Sequence, residues 1–437
     1  MNFSSLGLAP EILQALDACG YKKMTPVQEK AMVPARRGRD LFVNAQTGTG
    51  KTAAFALPVL QQMLDKGLIS ASKPTKSPQA LILTPTRELA EQLAKTIGAY
   101  AQFLPIKITA LYGGVKTGGQ ANKLKAGIDI LISTPGRLIE HMTLNNVSLA
   151  KVAFVVLDEA DRMLDMGFIT DVKNIIEHTA KNHQTLLFSA TTTPAMNELS
   201  HKILKSHQEI RVSKINTTAE TVDHVMYPVE EVRKIDLFMD LLDEYNWFQI
   251  LVFTSTKRQA DRLLEILKKS KIKAGLCHGD KSQGSRRRAL ADFKSAKLQV
   301  LVATEVAARG LDIEGLDFVL NYNLPYLAED YVHRIGRTGR AGKSGHAISF
   351  VSREEERAVN RIQRLIGGEI KRIYRRGYEV AERSTLLKAI AEKPKPRRSN
   401  KASETKINKG QQTTAKPKRS KINKSKKSKT ARGKKKR

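Results

Sequence analysis

The chain has 437 residues, 41% of them hydrophobic, and a formal charge of +32. That length allows two or three domains with real cores; no apolar run approaches the roughly 18 residues that span a bilayer, and the opening MNFSSLGLAPEI lacks the basic-then-apolar order of a secretory leader. Its two cysteines, Cys19 and Cys277, lie far apart and offer neither a disulfide framework nor structural-zinc spacing, so a reduced, cytoplasmic compartment is expected.

Short β-rich runs that end in small or polar residues recur from the start: DLFVNAQTG (40–48), ALILTPT (80–86), DILISTPG (129–136), FVVLDEAD (154–161) and TLLFSAT (185–191). Amphipathic stretches such as RELAEQLAKTIGAYAQF (87–103) separate them. This alternation predicts βα units on a parallel sheet buried on both faces, with ligands at the carboxyl ends of the strands. The pattern then begins again with QILVFTST (249–256), KAGLCHGD (273–280), QVLVATEV (299–306), FVLNYN (318–323) and HAISFVS (346–352), which predicts a second α/β domain. The expected boundaries are 1–206 for the first domain, 207–222 for a polar linker, 223–378 for the second domain and 379–437 for a tail. From Lys393 to Arg437 there are 20 Lys and Arg against one acid, Glu404, so most of the net charge lies in the tail. With almost no apolar residues to bury, the tail is expected to be disordered. Such a polycation attracts polyanions, nucleic acid foremost.

Three motifs carry chemistry. Ala45-Gln46-Thr47-Gly48-Thr49-Gly50-Lys51-Thr52 stands between a strand and a helix, where Gly48 and Gly50 let backbone N–H groups curl around phosphate oxygens. Lys51 is expected to reach the β- and γ-phosphates of ATP, and the Thr52 hydroxyl to bind Mg2+; the general pattern has Gly where this chain has Ala45. Asp158-Glu159-Ala160-Asp161 ends the apolar run FVVL, placing Asp158 to hold the magnesium and Glu159 to orient or deprotonate the attacking water. Either motif alone has an ordinary explanation, a glycine turn or an acidic helix cap, but the pair in this order predicts a nucleotide hydrolase. His333-Arg334-Ile335-Gly336-Arg337-Thr338-Gly339-Arg340 then sets three arginines at three-residue spacing, a pattern that argues against core packing. Such a loop can supply arginine fingers to a γ-phosphate bound on the other domain.

With these motifs in this order the chain resembles the DEAD-box RNA helicases over roughly residues 1–370, and the bacterial RhlE-like branch in particular. The resemblance implies two tandem RecA-like domains. It also implies that Phe3 and the stretch from Gly20 to Gln28 form an adenine-reading motif: the Gln28 amide pairs with the adenine edge while Phe3 and Tyr21 supply ring contact. Pro85, Thr86 and Arg87, the pair Gly113 and Gly114, and Thr134, Pro135, Gly136 and Arg137 become first-domain RNA contacts. Glycine permits close backbone approach, a Thr hydroxyl reaches phosphate, and Arg pairs with it in bidentate fashion. Read singly, each is more often a helix cap. Ser189 and Thr191 are implied to couple the ATP state to strand separation, their hydroxyls bridging towards the acidic motif. In the second domain Leu251–Thr254, Gln283, Arg286, Thr304 and Gly310 are implied to face RNA, Asp312 the ATP ribose, and Arg337, Arg340 and His333 the γ-phosphate and its water. Where the family has Asp this chain has Glu305, whose extra methylene moves the carboxylate outward.

The implied activity is ATP-dependent, short-range and largely sequence-independent unwinding of RNA by a monomer, in the setting of ribosomal precursor particles or RNA decay, with no membrane partner. A DNA helicase, an ATP-gated RNA clamp or annealer helped by the basic tail, and a simple basic binding protein are the alternatives. The last leaves the three motifs unexplained.

Overall fold

A computed structural model describes residues 2–46, 48–69, 77–212, 222–308, 313, 315–339 and 345–380. The expected site residues Thr47, Gly310, Asp312 and Arg340 lie outside the described residues, as do most of the expected linker and nearly all of the tail.

Two seven-stranded sheets carry the described chain, and every strand pair in them is parallel. The first contains β1 (Leu41–Asn44), β2 (Ala80–Leu83), β3 (Ile108–Leu111), β4 (Ile130–Ser133), β5 (Phe154–Leu157), β6 (Gln184–Ser189) and β7 (Gln208–Arg211), in the order β3-β4-β2-β5-β6-β1-β7. The second contains β8 (Val222–Pro228), β9 (Ile250–Thr254), β10 (Ala274–Cys277), β11 (Val300–Thr304), β12 (Phe318–Asn321), β13 (Gly345–Val351) and β14 (Lys371–Arg372), in the order β10-β11-β9-β12-β13-β8-β14. Counting the second set from one reproduces the first order strand for strand. The protein is therefore one RecA-like topology used twice.

Central strands such as ALIL and FVVL are buried at every position, because helices cover both faces of a parallel sheet. In the first domain these are α1 (Pro10–Ala18), α2 (Pro26–Arg36), α3 (Lys51–Asp65), α4 (Arg87–Tyr100), α5 (Thr117–Lys125), α6 (Pro135–Thr143), α7 (Ala160–Asp165), α8 (Ile169–Glu177) and α9 (Pro194–Ile203). In the second they are α10 (Lys234–Tyr245), α11 (Lys257–Lys269), α12 (Gln283–Lys294), α13 (Glu305–Ala308), α14 (Ala328–Ile335) and α15 (Glu356–Ile366). Two apolar clusters sandwich the first sheet: Phe55, Leu60 and Phe188 lie in one, Leu83, Leu131 and Leu187 in the other. None of the described helices is long and apolar enough to cross a membrane.

The stretch expected as linker differs from expectation at both ends. Gln208–Arg211 forms β7 on the edge of the first sheet, in register with Leu41–Asn44, and Val222 already opens β8. Only Ile210 of β7 faces the core; its exposed neighbours Gln208, Glu209 and Arg211 give the strand a polar sequence.

Candidate functional site

The loop after β1 begins inside the sheet: the Ala45 N–H donates to the Ser189 carbonyl at 3.0 Å, and the Ala45 methyl is packed in the core. That packing accounts for alanine at a position where the general motif has glycine. Gly48 and Gly50 both have positive φ, +79° and +92°, and Gly50 caps α3. A Cβ on Gly50 would lie 2.5 Å from the Gln28 side-chain nitrogen, so a side chain there would have to displace that amide. Lys51 opens α3 and is buried, yet its Nζ has no hydrogen-bond partner among the described residues. A buried ammonium without a partner is costly, and the atom stands at a helix N-terminus suited to phosphate. Thr49 donates to the Gln46 carbonyl at 2.7 Å, closing the loop on itself, and Thr52 follows on the first turn, half-buried.

Asp158 lies at the tip of β5, buried, with its Oδ1 accepting the Glu159 N–H at 3.1 Å. Burial pushes its carboxyl up to about 6, against the pull of Lys51, with Glu159 and Asp161 adding repulsion. A buried carboxylate facing an unpartnered lysine suits a divalent cation bound together with a polyphosphate. Asp158 and Thr52 would hold it, and it would supply charge neutralisation at the phosphates. Glu159 caps α7 at φ +54°, a left-handed backbone unusual for a residue with a side chain and typical of strained functional positions. Asp161 turns the other way: its Oδ2 accepts from the N–H groups of Ala190 and Thr191, both at 3.1 Å, and from the Thr191 hydroxyl at 3.2 Å. Ser189 remains within its own loop, donating to the Thr191 carbonyl at 2.7 Å.

Two of the three residues expected to read adenine are buried. Phe3 is buried in the first-domain core. Gln28 is also buried and already uses its amide: Oε1 accepts the Thr25 N–H at 2.9 Å, and Nε2 donates to the Gly50 carbonyl at 3.1 Å. It therefore ties the start of α2 to the phosphate loop. Tyr21 is exposed, with its ring 5.9 Å from that of Tyr100.

Seven of the nine first-domain residues expected at RNA, together with Arg286 and Thr304 of the second domain, line one cleft of about 590 Å³; Gly114, Pro135 and Gln283 are not in its lining. Pro85, Thr86, Arg87, Gly113, Thr134, Gly136 and Arg137 form its first-domain wall, and Ser255, Lys257, Gly279, Arg286 and Thr304 face them. A Cβ on Gly114 would run into the Arg87 guanidinium, so this glycine leaves room for the arginine. Thr86 and Thr134 are N-caps, with Pro135 opening α6. Arg137 donates to the Val115 carbonyl at 3.0 Å while its Nη1 is buried with no hydrogen-bond partner among the described residues. Gln283 and Arg286 reach the first domain itself: both bind the Glu88 carboxylate, at 3.2 and 2.9 Å.

Arg334 overturns the reading of the arginine loop as incompatible with packing. It is buried, ion-paired with Glu305, hydrogen-bonded to Asn321 Oδ1 at 3.0 Å and the Asn323 carbonyl at 2.7 Å, and stacked 4.9 Å from the Phe253 ring centre. Glu305 thus serves its own domain. Arg337 is half-buried, and its carbonyl accepts the Leu316 N–H at 3.1 Å. His333 lies across the seam, its Nε2 3.5 Å from Arg162 Nη2. Arg162 and its ion-pair partner Asp330 were missed in the sequence, since nothing local marks two residues so far apart as partners.

The DEAD/DEAH box helicase family pattern matches residues 25–199, and the helicase conserved C-terminal domain matches 233–342. The chain is 40% identical to the DEAD-box ATP-dependent RNA helicase RhpA of Helicobacter pylori over 370 residues, 85% of this chain and 73% of that one. It belongs to the DEAD-box ATP-dependent RNA helicases. The family member CshA of Bacillus cereus is 39% identical over 372 residues, 85% of this chain and 69% of its own. Among solved structures, S. cerevisiae Dbp5 bound to RNA and ADP BeF3 is similar with a TM-score of 0.76 and 30% identity, covering 90% of this chain and 99% of that one. As a DEAD-box enzyme the chain is an RNA-stimulated ATPase and helicase.

Proposed function

We propose that this chain locally unwinds or remodels structured RNA and RNA–protein complexes, with ATP and RNA held on either side of one closing seam. The observation that carries the reading is the Arg162–Asp330 pair. It joins the helix that follows Glu159 to the helix that bears His333 and Arg334, so closure of the RNA cleft and completion of the ATP site are one movement.

In this reading Lys51 binds the β- and γ-phosphates, and Thr52 and Asp158 take Mg2+, which neutralises phosphate charge. Glu159 orients or deprotonates the attacking water. Arg337 and Arg340 stabilise charge on the departing phosphate from the other domain, and His333 positions the water's neighbours. Tyr21 supplies a ring at the adenine. The Gln28 amide, engaged on one side by the phosphate loop, offers its remaining N–H and lone pair to the base edge. Arg87, Arg137 and the N-capping Thr86 and Thr134 hold the sugar–phosphate backbone, which carries no sequence information. Two domains, the first extending through β7 and the second opening at Val222, acting as a monomer in the cytoplasm on ribosomal precursors or decaying transcripts, complete the proposal.

Steady-state ATPase with RNA, single-stranded DNA or duplex DNA, in wild type and Glu159→Gln, tests it. RNA-specific stimulation that Glu159→Gln abolishes, followed by unwinding of a short duplex, is the expected result. Equal stimulation by DNA would refute the RNA assignment, and stimulation with no strand separation would leave a clamp or annealer.

A further inference from the structure

A second cleft, of about 750 Å³, opens on the other side of the Glu88–Arg286 contact from the RNA cleft, and those two residues form a wall common to both. Its floor is β3, the edge strand of the first sheet, through Ile108 and Ala110; its sides are α4 and α12. Both acids that line it are neutralised in place. Glu88 binds Arg286, and Glu91 binds Arg287, whose Nη2 also donates to the Tyr112 hydroxyl at 2.8 Å. Three exposed lysines also line it, Lys95 and Lys123 from the first domain and Lys294 from the second, so the lining holds five cations against two acids. Thr96, Thr109 and Gln92 add polar groups between them.

We infer that this cleft is a second nucleic-acid subsite, which takes the phosphodiester backbone of the strand flanking the segment held in the first cleft. Three features favour that ligand. The cleft adjoins the first one, with the Glu88–Arg286 pair forming a wall of both. Its cations are spread over both domains rather than gathered at one point, as a chain of phosphates requires. Its lining includes no aromatic platform beyond Tyr112, so backbone charge rather than base identity is what it can recognise. Because lysines of both domains line it, a strand seated there favours the closed arrangement and adds to RNA affinity when the domains are together. The inference rests on the proposed reading of the first cleft as the strand's path.

The test is anisotropy of the full chain with a non-hydrolysable ATP analogue, comparing a short RNA with the same RNA extended at its 5′ or its 3′ end. Wild type should gain affinity from extension at one end. The exposed triple variant Lys95→Glu, Lys123→Glu, Lys294→Glu should bind the short RNA as wild type does and lose the gain from that one extension. Its salt dependence on the extended strand should also drop by about 2 in log–log slope, at about 0.7 per lost single-strand contact. Equal weakening of short and extended strands, equal weakening at both ends, or no change on any strand would overturn it. The short RNA also serves as a control: if it fails to stimulate wild-type ATPase, the proposed function itself has failed.

Discussion

Arg162 donates to Asp330 across the seam between the two domains, and both side chains are buried. The arginine sits one residue beyond the acidic motif and the aspartate three residues before His333. Coulomb attraction in a site shielded from water is large, but so is the desolvation that precedes it, so the pair specifies an arrangement more than it stabilises one.

Removing one partner of a buried ion pair costs up to about 3–5 kcal/mol, and Arg162 keeps a longer contact to Asp165 at 3.5 Å when Asp330 is removed. Arg162→Ala is therefore expected to lower RNA-stimulated ATP turnover by at least about a hundredfold. The double variant Arg162→Ala with Asp330→Ala should recover part of that loss, because no lone charge remains. A double-mutant cycle on kcat checks this, and wild-type turnover in either single variant would remove the pair from the closing mechanism.

Gly50→Ala combines two penalties. Its φ of +92° disfavours any side chain by about 1–2 kcal/mol, and the new Cβ would displace the Gln28 amide. Chemical denaturation should report a destabilised first domain, and nucleotide titration a loss of binding at least tenfold. Gln28→Ala should release the steric part of the penalty while leaving the backbone part.

The outer contact between Arg287 and Glu91 behaves differently, because the arginine side chain is half exposed. An exposed pair contributes up to about 1 kcal/mol and is screened by salt. Arg287→Ala should raise the RNA concentration for half-stimulation by less than about fivefold, and the difference should vanish at high salt. Burial works to raise the Glu91 carboxyl, but bonds to Arg287 and Tyr112 outweigh it and hold it below 4.5. A depressed carboxylate contributes fully above its unfolded value and loses its contribution as the pH falls through the folded one. The effect of Arg287→Ala should therefore fade on acidification below pH 4.5.

His141 gives a pH dependence of the other kind. Its ring is buried between the Gln120 Oε1 at 3.1 Å and the Asn146 amide at 3.2 Å, an arrangement that suits the neutral tautomer. Burial and then the nearby Arg137 hold it below its ordinary 6.5. The unfolded chain takes up this proton first, so stability contributed by the neutral ring is present above pH 6.5 and declines as the pH falls below it. Thermal melts of wild type should show that decline, and His141→Gln should flatten it.

Much of this was legible in the chain itself. Strand tips announced themselves because buried parallel strands must be apolar and must end in small or polar residues where ligands approach, so the phosphate loop and the acidic motif were found at once. The duplication was visible as a recurring pattern. What stayed hidden depended on distant partners. The arginine spacing argued against core packing, but Glu305 and Phe253 enclose Arg334. β7 was lost in the expected linker because three of its four residues face solvent. The capping contact of Gln28 was also legible: Thr25-Pro26-Val27-Gln28 is a helix-start signature in which the glutamine turns back to the preceding backbone.

Asp161 and Arg162 are neighbours in sequence that face different tasks, one gripping the Ala190–Thr191 loop and the other the second domain. On a helix each added residue rotates everything beyond it by about 100°. An insertion between these two would swing the arginine away from Asp330 while leaving the aspartate in place. The acidic motif and its following arginine are thus constrained in length as tightly as in composition: this stretch can tolerate a changed letter more readily than an added one.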